Sequence, residues 1–163
     1  MFEGEYLYGK KWSGKGYDYN SNGVNQINGG KGYIREYDFS GKLKFEGEYL
    51  NAERNGKGKE YYVDSNELKF EGEYLNGERN GKGRNYSEYS RKITEGEFIN
   101  GILDGKGKEY DNSGHIVYEG QYWNGKKFGK GKVYDLNGKV IFEGEFLNNK
   151  EMVKVKNIIL LGD

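Results

Sequence analysis

The stretch FEGEYLNGERNGKGRNY, Phe70 to Tyr86, decides the fold, because nearly the same residues return before and after it. Its leading Glu71-Gly72 pair recurs at Glu46-Gly47, Glu95-Gly96, Glu119-Gly120 and Glu143-Gly144, in steps of 25, 24, 24 and 24 residues. A fixed period of this size marks a stacked array, in which each unit buries its apolar face only against its neighbours. Inside a unit the period is two: Leu43, Phe45, Gly47 and Tyr49 alternate with Lys44, Glu46 and Glu48, which is a strand with one apolar face. A helix is excluded by that spacing and by glycines in its middle. Asn76-Gly77-Glu78-Arg79 within a unit, and Asp111-Asn112-Ser113-Gly114 or Asp135-Leu136-Asn137-Gly138 between units, are turn sequences that tolerate positive φ. Both connections are short, so the expected fold is all-β: an elongated, single-layer antiparallel meander of repeated hairpins.

With the inner turn placed at residues 76 to 79, Tyr74 is expected to face Gly81, Glu73 Lys82, Gly72 Gly83 and Glu71 Arg84. Opposite charges then meet across the strands, and the paired glycines leave a trough over which an aromatic ring can lie. Strict alternation puts Glu60 and Glu109 on the aromatic face and turns Tyr61 and Tyr110 away, which predicts a bulge just after each Gly-Lys-Gly. The first unit, from Phe2, reaches Gly14-Lys15-Gly16 one residue late with Trp12 in its lengthened turn, and the second, at Ile27-Asn28-Gly29, is cut short. Ser87 to Lys92 lacks the usual turn sequence, and the poorest register is expected there.

The chain has 163 residues, 34% hydrophobic and 32% charged, so its core must be thin. Sixteen Tyr and eight Phe carry much of the burial, while 28 Gly with no Pro suit tight turns between strands better than a disordered linker. Lys+Arg and Asp+Glu both number 26, so no net field recruits nucleic acid or anionic lipid from a distance. No cysteine, no secretory leader and no membrane-spanning run occurs, which points to the cytosol.

Taken together, aromatic-Glu-Gly-Glu-aromatic, then Asn-Gly, then Gly-Lys-Gly, then Tyr, every two dozen residues, resembles the MORN (membrane occupation and recognition nexus) repeat. The resemblance covers Phe2 to Asn149, about six units and a truncated one, so residues 1–149 are read as the array. Ala52 and Asn149 in place of the turn glycine, and Thr94 in place of the leading aromatic, depart from the pattern. The resemblance implies a twisted open trough of hairpins that acts as a protein-interaction module, docking a helix or peptide or self-associating; phospholipid or membrane-surface binding is the alternative it carries. Residues 150–163 form a separate apolar end. Ile158-Ile159-Leu160-Leu161-Gly162-Asp163 reads either as a strand capping the sheet edge or, by weak resemblance, as the first strand of a Ras-like small GTPase, which would make the array the N-terminal region of a longer GTPase.

Catalytic and metal chemistry finds little footing. The Gly-Lys-Gly triplets lie in strands and lead into no helix, so they are no phosphate cradle. The Asp-x-x-Gly turns lack the twelfth-position acid of a calcium loop. One histidine, His115, and no cysteine leave neither a zinc set nor a histidine-activated nucleophile. The glutamates recur equally in every unit, which fits a charged face. The expectation is therefore a non-catalytic scaffold with no cofactor and no metal. Phe45, Tyr49, Phe70, Tyr74, Tyr118 and Tyr122 have two readings, packing on one another or lining an apolar contact trough. Trp12, Trp123 and Phe128 replace polar or aliphatic residues of the other units and are candidate partner contacts. Single-stranded nucleic acid stacked on the aromatics is the remaining competitor.

Overall fold

A computed structural model describes residues 2–17 and 24–152. They form one sheet of 14 strands in sequence order, each antiparallel to the next. The strands are β1 Phe2–Leu7, β2 Lys10–Tyr17, β3 Val24–Asn28, β4 Lys31–Tyr37, β5 Leu43–Leu50, β6 Glu53–Tyr61 and β7 Leu68–Leu75. They continue as β8 Glu78–Tyr86, β9 Ile93–Ile99, β10 Ile102–Tyr110, β11 Ile116–Trp123, β12 Lys126–Tyr134, β13 Val140–Leu147 and β14 Lys150–Met152. The expected all-β meander is thus the observed one. The truncated second unit is the short β3–β4 hairpin, whose turn is Gly29-Gly30. Residues 150–152 extend the last hairpin, with Leu147 opposite Lys150. The apolar tail from Val153 onward, with both readings given to it, lies outside the described residues.

The inner turn is tighter than expected. Leu75 pairs with Glu78, so the turn is Asn76-Gly77 alone, with both residues at positive φ (50° and 89°), and Tyr74 meets Arg79. Asn-Gly favours this two-residue turn because its twist matches that of the strands. Gly72–Gly83 and Glu71–Arg84 pair as expected, so the extra residues of β8 bulge out around Gly81, at φ 96°. Tyr74 therefore faces Gly56 of the preceding hairpin, while Gly81 faces Phe98 of the next. The Glu73 carboxylate turns into the bulge and accepts a hydrogen bond from the Lys82 amide at 2.8 Å. Glu48 holds Lys57 N–H in the same way at 3.0 Å, and Gln121 holds Lys130 N–H at 2.9 Å.

A register shift also falls between Glu60 and Tyr61 against β7, yet it reverses no side chain: Glu60 stays on the aromatic face and Tyr61 on the other. Ser87 to Lys92 does not disturb the pairing. The β8–β9 ladder runs without a shift from Gly81–Phe98 to Tyr86–Ile93, because the loop closes on itself through Ser87 N to Lys92 O and Arg91 N to Ser87 O, with Arg91 at φ 50°. Successive hairpins are also tied at their turns, where Gly77 N donates to Arg54 O, Gly101 N to Arg79 O and Gly125 N to Leu103 O at 2.8–2.9 Å.

The core is one layer of rings. Phe45, Phe70, Tyr74, Phe98, Leu103, Tyr118, Tyr122 and Phe146 are buried, and Tyr49, Val133 and Phe142 pack against them. The rings meet edge to face, Phe45–Tyr74 at 5.2 Å, Phe70–Phe98 at 5.1 Å and Tyr118–Phe146 at 5.1 Å, a geometry their quadrupoles favour. The glycine pairs make room for them. A Cβ on Gly83 would stand 2.4 Å from Phe70 Cζ, and one on Gly58 would stand 2.6 Å from Phe45 Cζ.

Candidate functional site

A single sheet leaves the outer side of its ring layer to be covered by something. Here three of the leading rings each carry a lid. Arg54 lies 4.0 Å over the Phe45 ring, Arg79 4.2 Å over Phe70 and Lys127 4.1 Å over Tyr118. A carboxylate of the preceding hairpin holds each cation: Glu36 grips Arg54 by two bonds (2.9 and 2.8 Å), Glu60 grips Arg79 (3.0 and 2.7 Å), and Glu109 takes Lys127 at 2.9 Å. The tyrosines complete it, Tyr74 donating to Glu60 and Tyr122 to Glu109 at 2.8 Å each, with Tyr49 donating to Glu36. Burial raises the carboxyls of Glu36 and Glu60, but the bonds from arginine and tyrosine outweigh it and hold both below their ordinary value. The same burial and carboxylates push Tyr49, Tyr74 and Tyr122 upward.

The unit that starts at Thr94 lacks this lid, and all its members change together. Thr94 replaces the leading ring, Leu103 the cation, Asn85 the carboxylate and Phe98 the tyrosine. With no ring to cover, Leu103 is itself buried and fits against Gly96. So Phe45, Phe70, Tyr74, Tyr118 and Tyr122 lie inside the packed layer with Tyr49 half-buried, and the face they occupy is closed.

The opening lies on the other face. An open groove of about 1470 Å³ runs along the array from Tyr33 to Met152. Its floor is the row of paired glycines from Gly58 to Gly144, which carries no side chain, and its walls are the residues flanking each glycine. One wall reads Glu46, Lys59, Glu71, Arg84 and continues in this alternation to Glu143; the other reads Glu48, Lys57, Glu73, Lys82 and continues to Glu145.

The two walls differ in how far their charges are committed. On the first, Tyr61 donates to Glu46 (2.7 Å), Tyr86 to Glu71 (2.6 Å) and Tyr110 to Glu95 (3.2 Å). Cross-strand pairs add Arg84–Glu95 at 2.8 Å and Lys132–Glu143 at 3.5 Å. Burial raises the Glu46 carboxyl, but the bonds from Tyr61 and Arg35 win and hold it low, while Tyr86 is pushed up to about 12 by burial and by Glu71. On the second wall Glu48 and Glu73 are spent on the bulge amides. Lys57, Lys82, Lys106 and Lys130 are exposed, and among the described residues none of their ammonium groups forms an ion pair. They stand one hairpin apart, about 9.6 Å, or two strand spacings.

The out-of-pattern aromatics separate. Trp12 is half-buried in the bulge of β2, against the Gly29-Gly30 turn, where a Cβ on Gly30 would meet its ring at 2.8 Å. Trp123 and Phe128 are 61% and 42% exposed, and their rings meet at 5.7 Å on the rim of the groove. Among the described residues no group of acids and histidines is arranged to hold a metal ion, and no helix is long and apolar enough to cross a membrane. The Asp-x-x-Gly turns use their carboxylate internally, Asp111 accepting from Ser113 and His115 amides at 2.9 Å. No curated protein matches the chain. The MORN repeat model matches residues 45–67, 70–84, 95–116 and 118–140, together about half of the chain. With those matches falling on the hairpins that share the ring layer and the glycine floor, the chain belongs to the MORN repeat family.

Proposed function

We propose that this array is a non-catalytic protein-interaction scaffold, and that the glycine-floored groove receives a segment of a partner protein. MORN repeats bind proteins or membranes. What favours a protein segment is the groove itself: an occupant must reach a floor of bare backbone between two walls of side chains, which a narrow chain can do and a flat bilayer surface cannot. The aromatic layer opposite serves to hold the hairpins in line, and Trp123 and Phe128 are the predicted contact residues that remain accessible at the groove.

Filling the groove tests this reading. Lys82→Trp and Lys106→Trp change exposed side chains and are expected to leave melting unchanged while removing protein partners that the natural chain captures. Self-association through the groove would appear as a loss of the dimer in light scattering by the same variants. Retention of every partner by the filled variants would overturn the reading. Salt-sensitive sedimentation with anionic vesicles, abolished by the same substitutions, would replace it with the membrane-surface alternative.

A further inference from the structure

Three departures from the repeat meet at one place on the groove rim. In the unit that starts at Tyr118, the second glutamate of the Glu-Gly-Glu motif is Gln121, the residue before the turn asparagine is Trp123 where other units have leucine or isoleucine, and the residue before the bulge glycine is Phe128 where others have asparagine or aspartate. All three line a shallow recess of about 480 Å³ together with Glu97 and Lys106. The two rings make a tilted shelf, 52° apart.

The glutamine changes the charge without changing the fold. Gln121 Oε1 accepts the Lys130 amide at 2.9 Å, as Glu73 accepts that of Lys82 at 2.8 Å. Because the amide oxygen takes that bond, its Nε2–H₂ is the free end of the side chain, and it can only donate. Gln121 sits opposite Lys106 across one strand pair, and Lys130 follows on the next strand. Lys106, Gln121 and Lys130 therefore form a row of donors, where the matching part of the neighbouring unit has Lys82, Glu97 and Lys106 with a carboxylate in the middle. Glu97 on one side and Glu145, paired in register with Lys130, on the other bound this row.

We infer that this rim is an anchor site for an acidic, aromatic-bearing peptide segment of the partner: a carboxylate seats over Gln121 between Lys106 and Lys130, and a neighbouring apolar side chain lies on the Trp123–Phe128 shelf. The inference rests on the groove being the docking surface, and it specifies the charge and the anchor of what docks. Charge complementarity selects the ligand: the carboxylate that stands between the two lysines in the neighbouring unit is absent at Gln121, and neither the Lys106 nor the Lys130 ammonium forms an ion pair among the described residues.

A short synthetic peptide with a central phenylalanine flanked by aspartates is the probe. The chain has two tryptophans, so in a Trp12→Phe background the emission reports Trp123 alone. Saturable change on adding the peptide is expected. Gln121→Glu, which restores the residue of the other units and keeps the bulge acceptor, is expected to weaken binding about tenfold, the scale of one charge-assisted contact. Trp123→Leu, read by anisotropy of a labelled peptide, should weaken it to a similar degree, and Lys42→Ala, exposed in a turn outside the groove, should not. Circular dichroism melting guards against unfolding. Equal binding of a lysine-flanked peptide, indifference to Gln121→Glu, or no binding by any peptide would overturn the anchor. A response to phosphatidylserine vesicles without one to the peptide would do so as well. If peptides bind but cross-link only along Lys57 and Lys82, unaffected by the rim substitutions, the groove reading survives and the anchor falls.

Discussion

At the scale of single residues, backbone geometry decides what each position tolerates. Ala52 occupies the second turn position at φ 59°, where every other hairpin but the last, with Asn149, has glycine. The left-handed region costs a β-carbon about 1–2 kcal/mol, partly offset by glycine's greater freedom in the unfolded chain, so Ala52→Gly should stabilise by about 0.5–1 kcal/mol and raise the melting temperature. An unchanged or lower melting temperature would contradict the strain assigned to that turn. Gly72 is limited by space instead. A Cβ there would lie 2.7 Å from Gly83 Cα, Lys82 O and Phe70 Cζ at once, so Gly72→Val should cost about 3 kcal/mol. Hydrogen exchange should show the loss first in β7 and β8, and unaltered protection there would remove the role given to that glycine. The pairing of Gly72 with Gly83 was legible in the sequence, because their recurrence has no explanation except close approach of a ring. The turn was not: counting alternation from Asn76 cannot distinguish a four-residue turn from a two-residue turn followed by a bulge. The Asn76-Gly77 turn geometry and the Glu73 carboxylate filling that bulge together favour the second arrangement.

At the scale of the hairpin, the lid of cation, carboxylate and tyrosine works as a set. Arg79→Leu alone leaves Glu60, 17% exposed, with only the long contact to Arg54 at 3.8 Å and the Tyr74 hydroxyl, and should cost about 2 kcal/mol. Adding Glu60→Asn and Tyr74→Phe converts the lid into the apolar form found around Leu103 and should recover part of that loss. A triple variant less stable than the single one would show that the lid members act independently. The lid also sets the response to pH. Glu36 and Glu60 titrate below their ordinary value of 4.5, so the stability they contribute is present above that value and lost as pH falls through their folded values. Tyr49, Tyr74 and Tyr122 titrate above the ordinary 10.0, so their contribution is whole below that value and lost as pH rises past it. Thermal melts should therefore be level across the neutral range and fall at both ends, with Glu60→Gln flattening the acid side. A melting temperature still rising below the carboxylate range would contradict this. The lid left a trace in the sequence: Asn85, Thr94, Phe98 and Leu103 depart together in one unit. Arginine and lysine two residues past a turn look like solvated turn positions, however, and periodicity assigns them no partner.

At the scale of the molecule, each strand touches chiefly its sequence neighbours, so stability is a sum of local interfaces and the array has two very different faces. Alternation of apolar and charged residues made those faces visible in the sequence, but not which of them lies open. The rings allowed two readings, a packed layer or a contact trough, and alternating Glu and Lys suggested a solvated surface. The fold has the packed layer, in which rings fill the space over the glycines on one side and are covered by the lids, while on the other side the same glycines leave a bare floor between charged walls. A partner segment is proposed to enter on the charged face. The most direct measurement of that entry is photo-cross-linking from single positions, with a light-activated aromatic residue in place of Lys82 or Lys106 in the groove, or of Arg79 on the lid. Partner adducts are expected from Lys82 and Lys106 and none from Arg79; adducts from Arg79 with the groove positions silent would contradict entry on the charged face.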